Sequence, residues 1–160
     1  MLFRDDDVSK WTDLTTFMAI HDLFKKYKKV HTIAVEMEGL WESRGIWHLI
    51  ATEPYISVGL HGWQHVDYST LSYEECSDHI KKSLQYWRKH IQDGYCKHIP
   101  IVTFFPPWNR ANDNLRRACA DWGMKIDNRA NDPNVFAFHW WEFIGGNGLD
   151  RLEGALKRVA

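Results

Sequence analysis

Two groups of side chains that could bind a metal stand out in the sequence, a pair of histidines and a run of aspartates. His61 and His65 are four residues apart, and Asp5, Asp6 and Asp7 are consecutive. On a helical turn, the histidine spacing would put both imidazoles on one face, where they could ligate one ion. Three adjacent carboxylates repel one another unless a cation or a proton relieves them. The triplet therefore favours metal binding or acid–base chemistry over the simpler interpretation of a polar turn or helix cap.

Two imidazoles and one carboxylate would form a three-ligand set that leaves positions open for water and substrate. Catalytic metal sites have this arrangement, whereas structural sites are closed. The donor set fits Zn²⁺ best, with iron, cobalt and nickel as alternatives. The competing interpretation is that both histidines are ordinary exposed side chains, and their spacing alone does not decide between the two.

Short apolar segments of two kinds alternate along the chain and would position these side chains. Six β-rich runs are predicted as strands, at residues 1–4, 30–35, 56–60, 101–105, 125–127 and 135–138. Helices are predicted over 14–27, 40–51, about twenty residues after a capping box at Ser72 and Glu75, 111–122 and 149–159. This alternation predicts right-handed crossovers and a parallel sheet.

Polar or proline-rich groups follow the predicted strands one after another. They are Asp5–Asp7, Glu36 and Glu38, His61 and His65, Pro106–Asn109, Asp127–Arg129 and His139. Parallel α/β folds place active sites at the carboxyl ends of their strands, so we expect these groups to converge on one opening. Pro106 and Pro107 either end a strand or form a rigid wall whose backbone N–H donates to an oxyanion. His139 alone would be a core histidine, but beside a metal it becomes a candidate general acid.

Length and composition exclude several classes of protein. At 160 residues the chain is too short for a complete eightfold barrel, so any barrel must be trimmed, and a net charge of −1 argues against nucleic-acid binding. Cys76, Cys96 and Cys119 cannot all pair and form no Cys-x-x-Cys unit, so no disulfide framework is expected. Without a visible signal peptide or membrane span, we expect a cytoplasmic protein by default, with release to the cell envelope by another route left open.

Together these segments resemble the polysaccharide deacetylases, the NodB-homology domain of carbohydrate esterase family four. The first motif of that family, Thr-Phe-Asp-Asp, is similar to Arg4-Asp5-Asp6-Asp7. The resemblance implies that Asp6 is the catalytic base and that Asp7 is a metal ligand. A register one residue earlier, with Asp5 and Asp6 in these roles, is the weaker option.

Two further motifs of the family also match. Its His-Ser/Thr-x-x-His motif is similar to His61–His65, with Gly62 in place of the hydroxyl residue, and implies that both histidines bind zinc. Its Leu-x-His strand end is similar to residues 137–139, and implies that His139 is the general acid.

The third motif departs from the family pattern. Arg-x-Pro-Tyr is similar to residues 105–108, but Phe105 stands at the arginine position. In the family that arginine orients the catalytic aspartate, so its absence implies either reduced activity or a substitute. Arg129, Arg110 and Arg4 are the candidates, with Asp127 and its neighbours as a weak fourth motif.

The resemblance implies an α/β fold, an irregular, trimmed (β/α) barrel of about six parallel strands with surrounding helices, in one catalytic domain spanning residues 1–160. It implies a metal-dependent deacetylase acting on an acetylated carbohydrate, through metal-activated water, an Asp base and a His acid. The alternatives are a catalytically impaired carbohydrate-binding module, or a related amidohydrolase acting on a small non-sugar amide.

Nine tryptophans are more than a core of this size requires. Those predicted to line a groove and contact sugar are Trp63, Trp108, Trp140 and Trp141, with Pro107 beside them and the Trp108 N–H as the oxyanion donor. Those assigned to helix packing are Trp11, Trp41, Trp47, Trp87 and Trp122.

Overall fold

The computed structural model describes residues 1–92 and 99–159, which form a parallel six-stranded sheet surrounded by helices. The strands are β1 (Leu2–Val8), β2 (His31–Val35), β3 (Ile56–Leu60), β4 (Thr103–Phe104), β5 (Lys125–Ile126) and β6 (Val135–His139). The helices are α1 (Leu14–Tyr27), α2 (Arg44–Thr52), α3 (Tyr73–Gln92), α4 (Asp113–Asp121) and α5 (Leu149–Arg158). Short 3-10 segments lie at Leu40–Glu42, Pro107–Asn109 and Trp140–Gly146.

The sheet has the order β5-β4-β3-β2-β1-β6, and each neighbouring pair is parallel. With helices on the outside and two free edges, it is a curled half-barrel. The predicted fold class, a trimmed (β/α) barrel of about six parallel strands, is therefore confirmed.

The predicted elements are all found, with bounds that agree within two residues except in two cases. Strand β1 continues to Val8, so the aspartate triplet lies inside the strand and not after it. The helix predicted over 40–51 is divided at Ser43, where ψ is 75°, into a 3-10 turn and α2. The capping box at the start of α3 is confirmed, because the Glu75 N–H donates to Ser72 Oγ at 3.2 Å and the Ser72 N–H donates to Glu75 Oε2 at 2.8 Å.

The outer face of the sheet carries the apolar core. Phe3 of β1 packs edge-on against Phe24 of α1, with ring centroids 5.5 Å apart, and both belong to a cluster completed by α5. A larger cluster packs β2, β3 and β4 against α2, α3 and α4. Because side chains alternate along a strand, Arg4 and Asp6 point to the opposite, inner face of β1.

The described cysteines agree with the absence of a disulfide framework. Cys76 and Cys119 are buried free thiols, while Cys96 lies outside the described residues. Burial raises the pKa of Cys76 to about 11 and that of Cys119 to about 12, so neither is a reactive thiolate at neutral pH. Among the helices that the structure describes, none has the length and apolarity to cross a membrane.

Asn112 ties α4 to the segment before α3, and its loss should cost more than the loss of an ordinary helix cap. Its Oδ1 accepts from the Leu115 N–H at 2.8 Å, while Nδ2 donates to the carbonyls of Ser69 and Leu71 at 3.0 Å each. Asn112→Ala should lower the free energy of unfolding by about 2–4 kcal/mol, since a cap is worth ~1 kcal/mol and each of the two further hydrogen bonds ~0.5–1.5 kcal/mol.

The matched control is Asp13→Ala at the start of α1, where the side chain accepts from Thr16 of the same helix, with the N–H at 2.8 Å. That variant should lose about 1 kcal/mol. Urea denaturation of both variants measures the difference, and equal losses would contradict a tethering role for Asn112.

Candidate functional site

Asp7 reaches the two histidines because β1 becomes irregular just before its end. The ladder to β2 pairs Asp5 with Ile33 and resumes with Val8 opposite Val35, so β1 gains one residue between these pairs. Asp7 is left-handed, with φ of 62°, a conformation that aspartate tolerates better than most residues. Such a bulge redirects a side chain. Asp7 Oδ1 therefore lies 3.2 Å from Nε2 of both His61 and His65.

His61 is held by the end of β3. Its N–H donates to the Val35 carbonyl at 2.7 Å, and its Nδ1 lies 2.6 Å from the Phe105 carbonyl. Since a carbonyl only accepts, Nδ1 carries the proton and Nε2 is left with a free lone pair facing Asp7. The next residue, Gly62, has φ of 113°, and a Cβ there would lie 2.5 Å from the Tyr68 hydroxyl. A serine or threonine could not occupy this position unchanged.

His65 is brought back to Asp7 by a loop and not by a helical turn. Residues 61–65 form no helix, so the predicted reason for the convergence of His61 and His65 is wrong although the convergence itself is found. Two backbone bonds fix the loop against residues beyond β2: Met37 N–H to the Gly62 carbonyl and Glu38 N–H to the Trp63 carbonyl. Gln64 Nε2 also donates to both Glu38 carboxylate oxygens at 3.0 Å.

Asp7, His61 and His65 are a candidate metal centre, with one ligand atom from each within 4.8 Å of the others. Asp7 Oδ1 is shielded from solvent and faces the Nε2 atoms of the two imidazoles, as expected of an oxygen at a cation site. Burial opposes ionisation of Asp7, but the contacts with His61 and His65 hold its pKa well below the usual range. The bond to Asp7 in turn raises the pKa of His65. The donor set fits a divalent transition metal.

His139 stands at the end of β6, in register with Asp6 of β1. Its Nδ1 lies 3.0 Å from Glu142 Oε1, which also accepts the His139 N–H at 2.8 Å. Burial opposes ionisation of Glu142, but hydrogen bonds from Arg151 and His139 bring its pKa below the usual value. This carboxylate fixes the His139 tautomer, with Nε2 turned toward Asp7 Oδ2 at 3.9 Å.

Asp6 is almost completely buried and forms an ion pair with Arg4, whose Nη2 lies 2.7 Å from Asp6 Oδ2. Arg129 donates to both carboxylate oxygens of Asp127, from Nε at 3.0 Å and from Nη2 at 2.7 Å. Arg110 Nη1 donates to Asp67 Oδ2 at 3.0 Å. Of the three arginines considered from the sequence, Arg4 is the one that holds Asp6.

Asp5 faces away from this site. Its Oδ2 lies 3.3 Å from His31 Nε2 in the layer between β1 and α1, and both side chains are fully buried. Burial raises the pKa of Asp5 well above its usual value and lowers that of His31, so neutral forms of both are favoured. A register with Asp5 as the base therefore does not agree with the structure.

The aromatic side chains predicted for a groove have different environments. Trp108 and Trp141 are exposed, and each has its ring against a site histidine: Trp108 edge-on to His65 at 4.4 Å, and Trp141 stacked on His139 at 4.7 Å. Trp141 Nε1 also donates to Asp7 Oδ2 at 3.2 Å.

The remaining predicted groove residues are less exposed. Trp63 and Trp140 are half-buried against the core, and Trp140 Nε1 donates to the Asp7 carbonyl at 3.0 Å. Pro107 is buried. Trp11, assigned from the sequence to packing, is 76% exposed, so that assignment is wrong.

The sequence placed Glu36 at the opening without giving it a role, and Glu142 was missed as a site residue. Glu36 directly follows β2, and burial raises its pKa in the field of Asp7, His61 and His65. Its position after a strand was a usable signal. Glu142, three residues after His139, carried the i, i+3 spacing of a carboxylate–histidine pair, but that spacing is common on any helical turn.

Comparison with known proteins identifies the family. Residues 5–126 match the family described as Polysaccharide deacetylase, and β6 with His139 lies beyond the matched segment. No curated protein matches the sequence. Several solved structures have the same fold.

One is a mutant, with restored enzymatic activity, of a family 4 pseudoenzyme from Bacillus anthracis (TM-score 0.75, 18% identity); the alignment covers 98% of this chain and 62% of that one. Peptidoglycan deacetylase PdaC from Bacillus subtilis has a TM-score of 0.69 at 19% identity, with 99% and 81% covered. A peptidoglycan N-acetylglucosamine deacetylase has a TM-score of 0.73 at 18% identity, with 98% and 81% covered.

At these identities the structures show a common fold, and this chain spans only about three-fifths of the length of the first of them. The sequence match is the stronger finding, because it extends over most of the chain and includes the aspartates and both histidines of the candidate metal centre. The chain belongs to the polysaccharide deacetylase family.

Proposed function

We propose that this protein is a metal-dependent deacetylase that hydrolyses N- or O-acetyl groups of a carbohydrate, either a polysaccharide or a glycan of the cell wall or surface. The observation that carries the proposal is the meeting of β1, β3 and β6. Asp7 lies against His61 and His65, while the adjacent Asp6 stands in register with His139. A metal centre, a candidate base and a candidate acid thus share one opening.

Zn²⁺ is the proposed ion, held by Asp7, His61 and His65, with another divalent transition metal as the alternative. Bound there, the ion would acidify a water molecule and polarise the acetyl carbonyl. The protein supplies the lone pairs: His61 through Nε2, because its Nδ1 donates to the Phe105 carbonyl, and His65 after loss of its proton.

The proton transfers are assigned to residues on either side of this centre. Asp6 takes the proton of the attacking water, and His139 in its doubly protonated form gives its Nε2 proton to the departing amine or hydroxyl, which cannot leave as an anion. Glu142 supports the second step, because it accepts from Nδ1 and keeps Nε2 on the side of the cleft. The backbone N–H of Trp108 is the proposed oxyanion donor, a contribution of ~3 kcal/mol in other hydrolases.

Exposed aromatic rings support a carbohydrate as the substrate. Trp108 lies edge-on to His65, and Trp141 stacks on His139. A sugar ring entering the cleft would therefore contact exposed indole surface on each side. The net charge of −1 gives no general attraction for a polyanion.

A carbohydrate-binding module without activity is the second candidate function. Phe105 at the position of the family arginine favours it, and one structurally similar protein is described as a pseudoenzyme. Arg4 on Asp6 opposes it, because a module that only binds sugar has no need of a buried ion pair at a candidate base. A small non-sugar amide as substrate is the third candidate, to be tested in the same substrate panel.

Metal content tests the proposed centre. The purified protein should contain about one zinc per chain, and Asp7→Ala should lose it because two imidazoles alone bind weakly. Asp78→Ala, which removes an exposed carboxylate of α3, is the matched control and should keep the metal. Elemental analysis after dialysis provides the measurement, and zinc retained by Asp7→Ala would refute this ligand set.

Zinc affinity should fall as the pH is lowered. The bond with Asp7 raises the pKa of His65, so below that pKa the ion must displace a proton from the imidazole. The affinity should therefore decrease by about tenfold per pH unit for each displaced proton. Calorimetric titration of the metal-free protein at several pH values measures the slope, and a flat profile from about pH 5 to 7 would exclude histidine ligation.

Acetate release tests the function itself. The zinc-loaded protein should release acetate from at least one acetylated oligosaccharide, and Asp6→Asn and His139→Gln should each lower kcat by about 10²–10⁴-fold while zinc stays bound. Asp78→Asn is the control, with unchanged kcat. Binding of oligosaccharide without acetate release would support the module, and release only from small amides would support the third candidate.

A further inference from the structure

Arg4 is a fully buried cation, and its hydrogen bonds to other described residues lie at the candidate catalytic site. Its Nη2 donates to Asp6 Oδ2 at 2.7 Å and to Asn109 Oδ1 at 3.0 Å, while Nη1 donates to the Asp127 carbonyl at 3.4 Å. One guanidinium thus joins β1, the turn after β4 and the end of β5. The planar guanidinium group, with its rigidly arranged N–H donors, holds several acceptors in a fixed relative geometry, which a lysine ammonium does not.

The pair leaves the two oxygens of Asp6 in different states. Oδ2 is occupied by Arg4, whereas Oδ1 is shielded from bulk solvent and has no partner among the described residues. A buried carboxylate oxygen without a hydrogen-bond donor costs desolvation free energy, unless another group binds to it during the reaction. Oδ1 is therefore the oxygen available to a proton in transfer, and Arg4 determines which oxygen that is.

The guanidinium also lies over the ring of Phe105, with Arg4 Cζ 4.9 Å from the ring centroid. That ring occupies space left by Gly59 of β3, where a Cβ would come within 2.2 Å of Phe105 Cε2. Arg4 is therefore confined by an aromatic surface as well as by its hydrogen bonds.

The contact with Asn109 extends this control to the turn that carries Trp108. Trp108 and Asn109 are both left-handed, with φ of 52° and 57°, and the Asn109 N–H donates to the Pro106 carbonyl at 2.9 Å. Two successive non-glycine residues in this conformation are strained, so the turn needs outside contacts to keep its shape. Arg4 supplies one through the Asn109 side chain.

We propose that Arg4 is a positioning residue that holds Asp6 with Oδ1 free and ties it to the Trp108 turn, so that the base and the oxyanion donor keep a fixed separation. The proposal rests on the proposed function for the identity of the reaction. The arrangement of Asp6 and the turn can nevertheless be observed without any turnover.

The principal variant is Arg4→Met, which keeps an unbranched apolar side chain and removes all three hydrogen bonds. With acetylated oligosaccharide and zinc-loaded protein, kcat should fall by about 100-fold, because small displacements of a catalytic group have effects of that size. KM should change by less than about threefold and zinc content should be unchanged. A merely structural residue would alter the melting temperature without this separation of kcat from KM.

Four further variants separate the roles of these contacts, the last of them a control. Arg4→Lys keeps the charge near Asp6 without the planar guanidinium group, and should recover only part of the lost kcat. Asn109→Gly keeps the left-handed backbone and removes only the acceptor, and should lower kcat by about three- to tenfold. Arg129→Met tests the competing arginine and should leave kcat within about twofold, as should Arg116→Met, an exposed control on α4.

Wild-type kcat in Arg4→Met, or an equal loss in Arg129→Met, would overturn the proposal. If Arg4→Met does not fold, Arg4→Lys decides: a fall of at least about tenfold in kcat with zinc retained supports the proposal, and no fall refutes it.

If wild-type protein releases no acetate at all, the proposed function fails. Crystal structures of zinc-loaded wild type and Arg4→Met (or Arg4→Lys) then decide: a reoriented Asp6 carboxylate and an altered 107–109 turn support the positioning role, and unchanged coordinates overturn it.

Discussion

The arrangement of this site depends on one electrostatic constraint, that three consecutive carboxylates must each find relief from the other two. Strand alternation sends Asp5 toward the helices and Asp6 toward the inner face, and the bulge turns Asp7 in a third direction. Asp5 lies against a buried histidine, and its own carboxyl group favours the protonated form. Asp6 pairs with a guanidinium, and Asp7 contacts two imidazoles. A proton, a fixed cation and a pair of imidazoles at the candidate metal centre therefore relieve one carboxylate each.

This constraint explains why the triplet is part of a strand. The sequence predicted that the acids follow the first strand, because three charges are costly to bury unless each has a partner. With its partners in place, β1 extends through the triplet to Val8. The order of the sheet then matters, since β2, β3 and β6 are the strands whose ends bring His31, His61 and His139 to their places around it.

The strands and helices were predictable because their apolar periodicity is local. The candidate ligand set was predictable because residue types at strand ends carry chemistry, as Asp7, His61 and His65 illustrate. What the sequence did not reveal was long-range geometry. The contact of Arg4 with Asn109 spans 105 residues, the left-handed turn at Trp108 has no glycine to announce it, and the exposure of Trp11 depends on which loops fail to cover it. The histidine pair converged through a loop because Gly62 allows a backbone that no helix contains.

The two positioning contacts at this site have a common form. Arg4 lies two residues before Asp6 on one strand, and Glu142 lies three residues after His139 on one turn. A partner on the same element is held in place by the geometry of that element, so it does not depend on a loop from across the sheet. A half-barrel has few opposing loops, which makes local partners the simpler way to fix a reactive group. Phe105 alone is therefore no sign of an inactive protein. The arginine that is missing just after β4 has a counterpart in Arg4 of β1, whose guanidinium pairs with Asp6.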